Sequence, residues 1–403
     1  QPKNIPENRI DDPRNNPGWT GYTWNKDLFP DYKAFLKFLK AHNLKTTLNL
    51  HPAQGVGCHE VMYEKMAKAC GIDPESRKLV KFDCLNPEFM EHYFDIIHHP
   101  YEEDGVDFWW LDWQQGNDYW WVHDEDHPTS PLEKMSPLWL LNHLHILDIS
   151  RNGKRPMFFS RYSGLGSHRY PVGFSGDTVV TWESLDFQPY FTANASNAGY
   201  SWWSHDIGGH NFGKLSDELY IRWVQFGVFS QIMRFHSANV ASKSKEPWKF
   251  GSEAEKITKK FLRFRHRMIP YTYTMNRLTE KEGRPLLMPM YYAYPNEEGA
   301  YKVGNEYFFG TQLVVAPITH KADKRTDTAA VDIWLPDGRY TDIFTGEVYR
   351  GGKTVINRDI ASIPVLAPAG AIIPLDGRKT GNDCGNPESL EILIVHIHNV
   401  MIF

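Results

Sequence analysis

Between Asp31 and His42 the apolar residues Tyr32, Phe35, Leu36 and Leu39 recur at the i, i+3, i+4, i+7 spacing of one helical face. Thr46-Thr47-Leu48-Asn49-Leu50 then reads as a short strand ending at His51, residues 88–98 as a helix on Phe89, Tyr93 and Ile97, and Val106 to Leu111 as a buried strand ending at Asp112. The alternation goes on. Ser136-Pro137 predicts a helix start, continued by Leu140, Leu144 and Leu147. Residues 156–159 predict a strand ending near Arg161, and a less regular strand approaches Asp177. Tyr200 to Trp203 reads as a strand running into His205-Asp206, and a helix over 216–226 precedes a strand from Val228 to Phe235 that ends near His236. A long helix over 253–282 carries Ile257, Phe261, Phe264 and Met268 on one stripe, with a kink expected at Pro270 and a stop at Gly283.

Apolar strands alternating with helices predict parallel βα units. Each strand before residue 240 closes on a polar residue: His51, Asp112, Arg161, Asp177, Asp206 or His236. That pattern suits an α/β fold of the (β/α)8 TIM-barrel type, whose active site gathers at the C-terminal strand ends. A doubly wound sheet is the alternative, but no Gly-rich phosphate loop supports it.

Beyond residue 285 the period changes. Residues 286–294, 306–317, 331–336, 340–349 and 361–374 are short β-like runs divided by Gly, Pro and Asp, with Asp337-Gly338 read as a turn. The expected organisation is a barrel over 1–285, a small all-β sandwich over 286–376, and a linker over 377–403 that opens a further β domain at Leu390 to Val395. The first 30 residues are turn-rich.

Composition narrows the function classes. The 403 residues carry 44 basic and 49 acidic side chains, a net charge of −5, which speaks against nucleic acid or an anionic membrane as the main partner. No apolar run reaches the ~18 residues of a membrane span, and Gln1 to Asn16 is polar and Pro/Asn-rich, unlike a signal peptide. Cytoplasmic and secreted locations both stay open. The four cysteines make neither a disulfide framework nor a CxxC pair. Aromatic residues reach 14%, with 14 Trp. Flat rings beside carboxylates suit a sugar cleft, although ordinary core packing accounts for aromatic content equally well.

Asp112 closes an aromatic strand, and Asp177 closes Gly173-Phe174-Ser175-Gly176. A carboxylate in such a place is costly unless it is paired. Two of them are what a retaining glycosidase requires, about 5–5.5 Å apart, one as nucleophile and one as acid/base. An N-cap or a salt bridge explains a lone Asp as well. Arg161 and Arg169 could hold a carboxylate ionised or fork onto sugar hydroxyls. His205 and His210 invite a metal reading, but their spacing is not i, i+4 and no carboxylate trio accompanies them, so no metal is expected.

Taken together these segments resemble glycoside hydrolase family 31, the α-glucosidase and α-xylosidase family. Trp110-Leu111-Asp112-Trp113-Gln114-Gln115 is similar to its Trp-x-Asp-Met-Asn-Glu, and Arg169 to Asp177 to its Arg-Tyr-Ala-Gly-His-Trp-x-Gly-Asp. Ser204 to Gly209 resembles Gly-x-Asp-Ile-x-Gly, and Met233-Arg234-Phe235-His236 resembles Met-Arg-Asn-His. Glu246-Pro247-Trp248 and Arg267 to Tyr273 resemble further landmarks, so the similarity covers most of residues 25–375. Three features depart from the family. Trp113-Gln114-Gln115 replaces Met-Asn-Glu, His51 stands where Asp is common, and an N-terminal sandwich with two barrel strands is not found before Asp31. The barrel is therefore expected to be N-terminally incomplete.

The resemblance implies retaining hydrolysis of terminal non-reducing α-linked sugars, best matched by α-glucosides, with Asp112 as nucleophile and Asp177 as acid/base. Arg161, Asp206, His236, His51 and Arg169 would contact the sugar, and Trp110, Trp113 and Trp203 would wall it. No cofactor is implied; the partner is an oligosaccharide or glycoside. A transglycosylase on the same scaffold, or a sugar-binding fragment without catalysis, are the alternatives.

Overall fold

Asp31 starts the first helix by accepting the Ala34 amide at 2.9 Å, and the helix α1 (Tyr32–Ala41) follows with Leu36 buried. The structure, a computed structural model, describes residues 20–112, 137–161, 165–170, 172–238, 240–378, 381, 383–395 and 400–402. The chain divides into two units, Gln1–Phe174 and Ser175–Phe403.

The first unit holds a parallel sheet in the order β1 (Thr47–Leu50), β2 (Phe108–Leu111), β3 (Phe159–Arg161), β4 (Gly173–Phe174). Thr47 pairs with Phe108, Trp110 with Phe159 and Arg161 with Phe174. Helices α2 (Tyr63–Ala69), α3 (Pro87–His92), α4 (His99–Asp104) and α5 (Pro137–Ile149) connect and cover it. Side chains alternate across a strand. Leu50, Trp109 and Leu111 therefore turn to the apolar core with Met66, Tyr93 and Ile97. Trp109 Nε1 donates to Glu102 Oε1 at 2.7 Å beneath them. Asn49, Trp110, Asp112, Phe159, Arg161 and Phe174 take the opposite face.

Residues 88–98 read as one helix, but between α3 and α4 the chain makes a wide π turn over Tyr93–His98. Pro100 follows within α4 and has no N–H to donate one turn back, so regular α bonding cannot pass through it. His98 Nδ1 donates instead to the Tyr93 carbonyl at 2.9 Å. His98 and His145 are both fully buried, and burial holds their imidazoles below the usual range, His98 at about 4.

The second unit begins with α6 (Trp182–Ala195), capped by Thr181, and continues through β5 (Trp203–Ser204), α7 (Asp217–Val228), α8 (Ser252–Arg267) and α9 (Ile269–Glu282). The strand expected from Val228 is not formed: α7 runs to Val228, and Ile232 and Phe235 make only isolated parallel bridges to Ser204 and Ile207. Every residue of α7 from Leu219 to Val228 is buried, so no polar face marks its period and the apolar run is ambiguous in sequence. Pro270 ends one helix and starts the next, with Met268 between them, where a kink was expected. Gly283 stops α9 at φ +68°.

Antiparallel strands follow: a six-stranded sheet in the order β10 (Val348–Arg358), β9 (Ala329–Asp342), β11 (Val365–Pro368), β8 (Leu313–Val315), β7 (Tyr307–Phe309), β6 (Leu287–Pro289), and a three-stranded sheet of β12 (Ile372–Asp376), β13 (Leu390–Val395) and β14 (Val400–Ile402). Met290–Ala293, expected to be extended, is a helical turn. Asp337-Gly338 does not reverse the chain. It lies inside β9, where the pairing slips from Arg350↔Arg339 to Gly352↔Leu335. Gly351 faces that bulge so closely that an added Cβ would sit 2.5 Å from the Pro336 carbonyl oxygen. Leu390–Val395, expected to open a further domain, pairs with β12.

The larger of this unit's two apolar clusters joins its helices to its strands. Trp223, Phe226 and Phe261 from α7 and α8 pack in the same cluster as Tyr307, Val315, Val365 and Leu375 from the strands. The buried Arg222 guanidinium donates to the carbonyls of Ser362 at 2.8 Å and Asp359 at 2.9 Å.

Candidate active site

Two clusters of charged side chains form at strand ends, one in each unit. In the first, Asp112 follows β2 and its amide donates to the Leu50 carbonyl at 2.8 Å. The residue is 5% exposed. Arg161 Nη1 donates to Oδ1 at 3.0 Å and Asn49 Nδ2 to Oδ2 at 3.3 Å, with His51 Nε2 3.6 Å from Oδ2. Burial pushes the carboxyl up, but the neighbouring His51 and the Arg161 charge outweigh it and hold Asp112 at about 2. Asp112 is therefore an anion throughout the physiological range, fixed at both oxygens. Trp110, two residues earlier on the same face, packs its ring 5.2 Å from Phe159 and 5.5 Å from Phe174, centroid to centroid. An aromatic wall and a pinned carboxylate thus share one face.

In the second cluster Asp177 is 45% exposed, and its Oδ1 lies 2.9 Å from His210 Nδ1. Asp206 is fully buried and bonded by Arg234, whose Nε also donates to Ser204 Oγ at 3.1 Å. Burial pushes the Asp206 carboxyl upward, against the pull of Arg234 and His210. The His210 and His236 rings stand 4.7 Å apart. Asp206, His210 and His236 bring donor atoms within 4.8 Å of one another, the only such trio among the described residues. Arg234 already neutralises the Asp206 carboxylate and sets a fixed positive charge beside it, which suits polar hydroxyls better than a cation.

Most of the residues singled out in the sequence fall in these clusters. Asp112, Arg161, His51 and Trp110 come together in the first unit; Asp177, Asp206 and His236 come together in the second. Trp203 does not join them. It shares a strand face with His205, whose ring nitrogens lie 2.9 Å from both Gln188 Oε1 and Thr192 Oγ1 of α6, and it packs on Phe191 of that helix. Strand alternation places Asp206 on the other face. Arg169 sits exposed in the turn Ser167–Arg169. Trp113 lies outside the described residues. Asn49, His210 and Arg234 belong to the clusters without having been expected there. Asn49 stands two residues before His51, so period-two alternation alone would have placed it.

Residues 9–275 match the glycosyl hydrolases family 31 TIM-barrel domain, and residues 283–373 match the family 31 C-terminal domain. The chain belongs to glycosyl hydrolase family 31. Its fold is accordingly the family 31 TIM-barrel domain followed by the family's C-terminal all-β domain. Over 391 residues it is 25% identical to an α-glucosidase 2 from Bacillus thermoamyloliquefaciens, covering 91% of this chain and 48% of that protein. An α-xylosidase from Saccharolobus solfataricus is likewise 25% identical, with 91% of this chain and 50% of that protein covered. The chain thus spans about half the length of these family 31 relatives. A solved family 31 dextranase from Flavobacterium johnsoniae, complexed with glucose, superposes with a TM-score of 0.76 at 23% identity, over 96% of this chain and 55% of that one. No helix among the described residues is long and apolar enough to cross a membrane.

Proposed function

We propose that this chain carries the catalytic residues of a retaining α-glycosidase acting on terminal non-reducing α-linked sugars, with α-glucosides as the substrate class. The observation that carries the reading is Asp112: a nearly buried carboxylate held ionised at about 2 by Arg161 and His51, at the end of an apolar strand. A structural salt bridge needs no aromatic wall beside it; a nucleophile that meets a sugar does.

The chemistry follows in two displacements. An Asp112 oxygen attacks the anomeric carbon as the glycosidic C–O bond breaks, and Asp177 gives its proton to the departing oxygen. Water then attacks the glycosyl ester, returning a proton to Asp177 and freeing Asp112 as the carboxylate. Exposure of Asp177 suits a group that must reach a leaving group and afterwards a water. Asp206, buried and charge-paired, would accept sugar hydroxyls, His236 and Arg161 would donate to them, and Trp110 with Trp113 would lie along the apolar sugar face. The α-glucosidase and α-xylosidase relatives support an α-linked glucose or xylose in the first subsite.

The test is nitrophenol release from a panel of aryl α-glycosides, with Asp112→Asn alongside. Release by the unaltered chain that drops at least a thousandfold in Asp112→Asn is the expected result. Hydrolysis that survives the substitution would remove Asp112 from the nucleophile role.

A further inference from the structure

Within the second unit a cleft of about 560 Å³ opens between α6 and the segments 302–306 and 330–332. None of its lining residues belongs to the Asp177–His210–Asp206 cluster. Phe187 and Tyr190 of α6 line it, 52% and 50% exposed, and their i, i+3 spacing sets them side by side on one helix face. Large rings left in water are a cost that core packing would remove. Gly304 leaves room for the Tyr190 ring: an added Cβ would stand 3.2 Å from it. Polar groups surround the rings. Asn305 Nδ2 donates to Asp186 Oδ1 at 2.7 Å, fixing an amide and a carboxylate side by side, and the exposed Glu183 adds a further acceptor.

The wall also contains Glu306, 3% exposed. One carboxyl oxygen, Oε2, accepts the Trp334 amide at 2.9 Å, and Oε1 has no partner among the described residues. Burial pushes this carboxyl up to about 8, so at neutral pH it carries a proton. An unmatched buried polar group of this kind is one that protein interiors rarely leave unexplained.

We propose that this cleft is a second, non-catalytic binding site for a neutral oligosaccharide. The exposed rings of Phe187, which stacks on Phe191 at 5.2 Å, and of Tyr190 offer flat apolar faces to the C–H face of a pyranose, and Asp186, Glu183 and Asn305 offer acceptors and a donor to its hydroxyls. The volume falls within the ordinary range of small-molecule sites, roughly 300–1,000 Å³. The choice of a sugar rests on the glycosidase reading above; the site itself does not share residues with that machinery.

The experiment uses the full chain carrying Asp112→Asn and Asp206→Ala, which disables the proposed catalytic subsite, titrated calorimetrically with maltoheptaose and with isomaltoheptaose. One of the two is expected to bind, at least tenfold more weakly after Tyr190→Ala, with binding restored by Tyr190→Trp and the thermal midpoint unchanged. Hydrolysis of a small aryl glycoside by a chain carrying Tyr190→Ala alone should stay within twofold of the unaltered chain. Absence of binding by either sugar, or binding indifferent to Tyr190→Ala, overturns the proposal, as does uptake of spermidine in place of both sugars. Hydrolysis without cleft binding would sink this site and leave the catalytic reading intact. Cleft binding in a chain that hydrolyses nothing would do the reverse.

Discussion

Replacing Arg161 by Met removes the strongest fixed charge beside Asp112 while keeping a side chain of comparable length. In the unaltered protein the difference between an ordinary carboxyl at 3.8 and Asp112 at about 2 corresponds to roughly 2.5 kcal/mol of preference for the anion. Without Arg161 the carboxylate retains Asn49 at 3.3 Å and His51 at 3.6 Å, and with burial unchanged the loss of the Arg161 charge moves its folded pKa upward. Breaking a buried pair in this way costs about 3–5 kcal/mol when the surviving charge has no escape. Here it has one, because Asp112 can take up a proton. We expect the variant's folded pKa to rise above the unfolded value, in which case the penalty is full at pH 7 and is relieved as pH falls through that raised pKa. Urea unfolding of the unaltered chain, Arg161→Met, and Arg161→Met with Asp112→Asn, each at pH 7 and pH 5, reads this directly. We expect the single variant to lose about 3 kcal/mol at pH 7, to recover part of it at pH 5, and to regain at least half when Asp112 is neutralised by substitution. An equal loss at both pH values, or no recovery in the double variant, would refute the claim that the two side chains form a desolvated ion pair.

Other expectations are simpler. His98 is held at about 4 against an ordinary 6.5, so its contribution to stability is complete above pH 6.5 and is lost as pH falls toward 4, by up to about 3 kcal/mol; the pH dependence of the urea midpoint over that window should flatten in His98→Leu. Asp177→Ala should slow hydrolysis of alkyl glycosides at least a hundredfold more than that of dinitrophenyl glycosides, and equal slowing of glycosylation for both would exclude the acid role. Gly351→Ala sets a methyl against backbone at the β9 bulge and should lower stability by roughly 1–3 kcal/mol, read as a drop in thermal midpoint.

Much of the first unit was legible in the chain because its strands are short runs, closed by polar residues, that alternate with helices. Val106 to Leu111 read as a buried strand and Asp112 as its end, whereas reaching Asn49 takes the two-residue alternation of side chains counted back from His51. Trp203 was misplaced for want of that rule: beside His205 it belongs to the helix side, and aromatic identity alone drew it toward the sugar. The helix α7 was cut short because burial on every side erases periodicity, and the bulge in β9 looked like a turn because Asp-Gly marks both. The pairing of His210 with Asp177 and of Arg234 with Asp206 joins side chains distant in sequence, so the segments that contain them do not reveal it.

The core shared by α7, α8 and the strands beyond Leu286 has a consequence for how such a chain can be inherited or recombined. Gly283 looks like a natural seam, with a left-handed cap and a change of period just after it. A crossover there, joining this barrel half to another protein's β domain, would separate Trp223 and Phe261 from the Tyr307 and Val365 side chains that complete their surroundings. The Arg222 guanidinium would likewise lose the Ser362 and Asp359 carbonyls it depends on. Viable hybrids should therefore exchange residues 175–403 as a block, and a library broken at 283 should yield mostly insoluble protein.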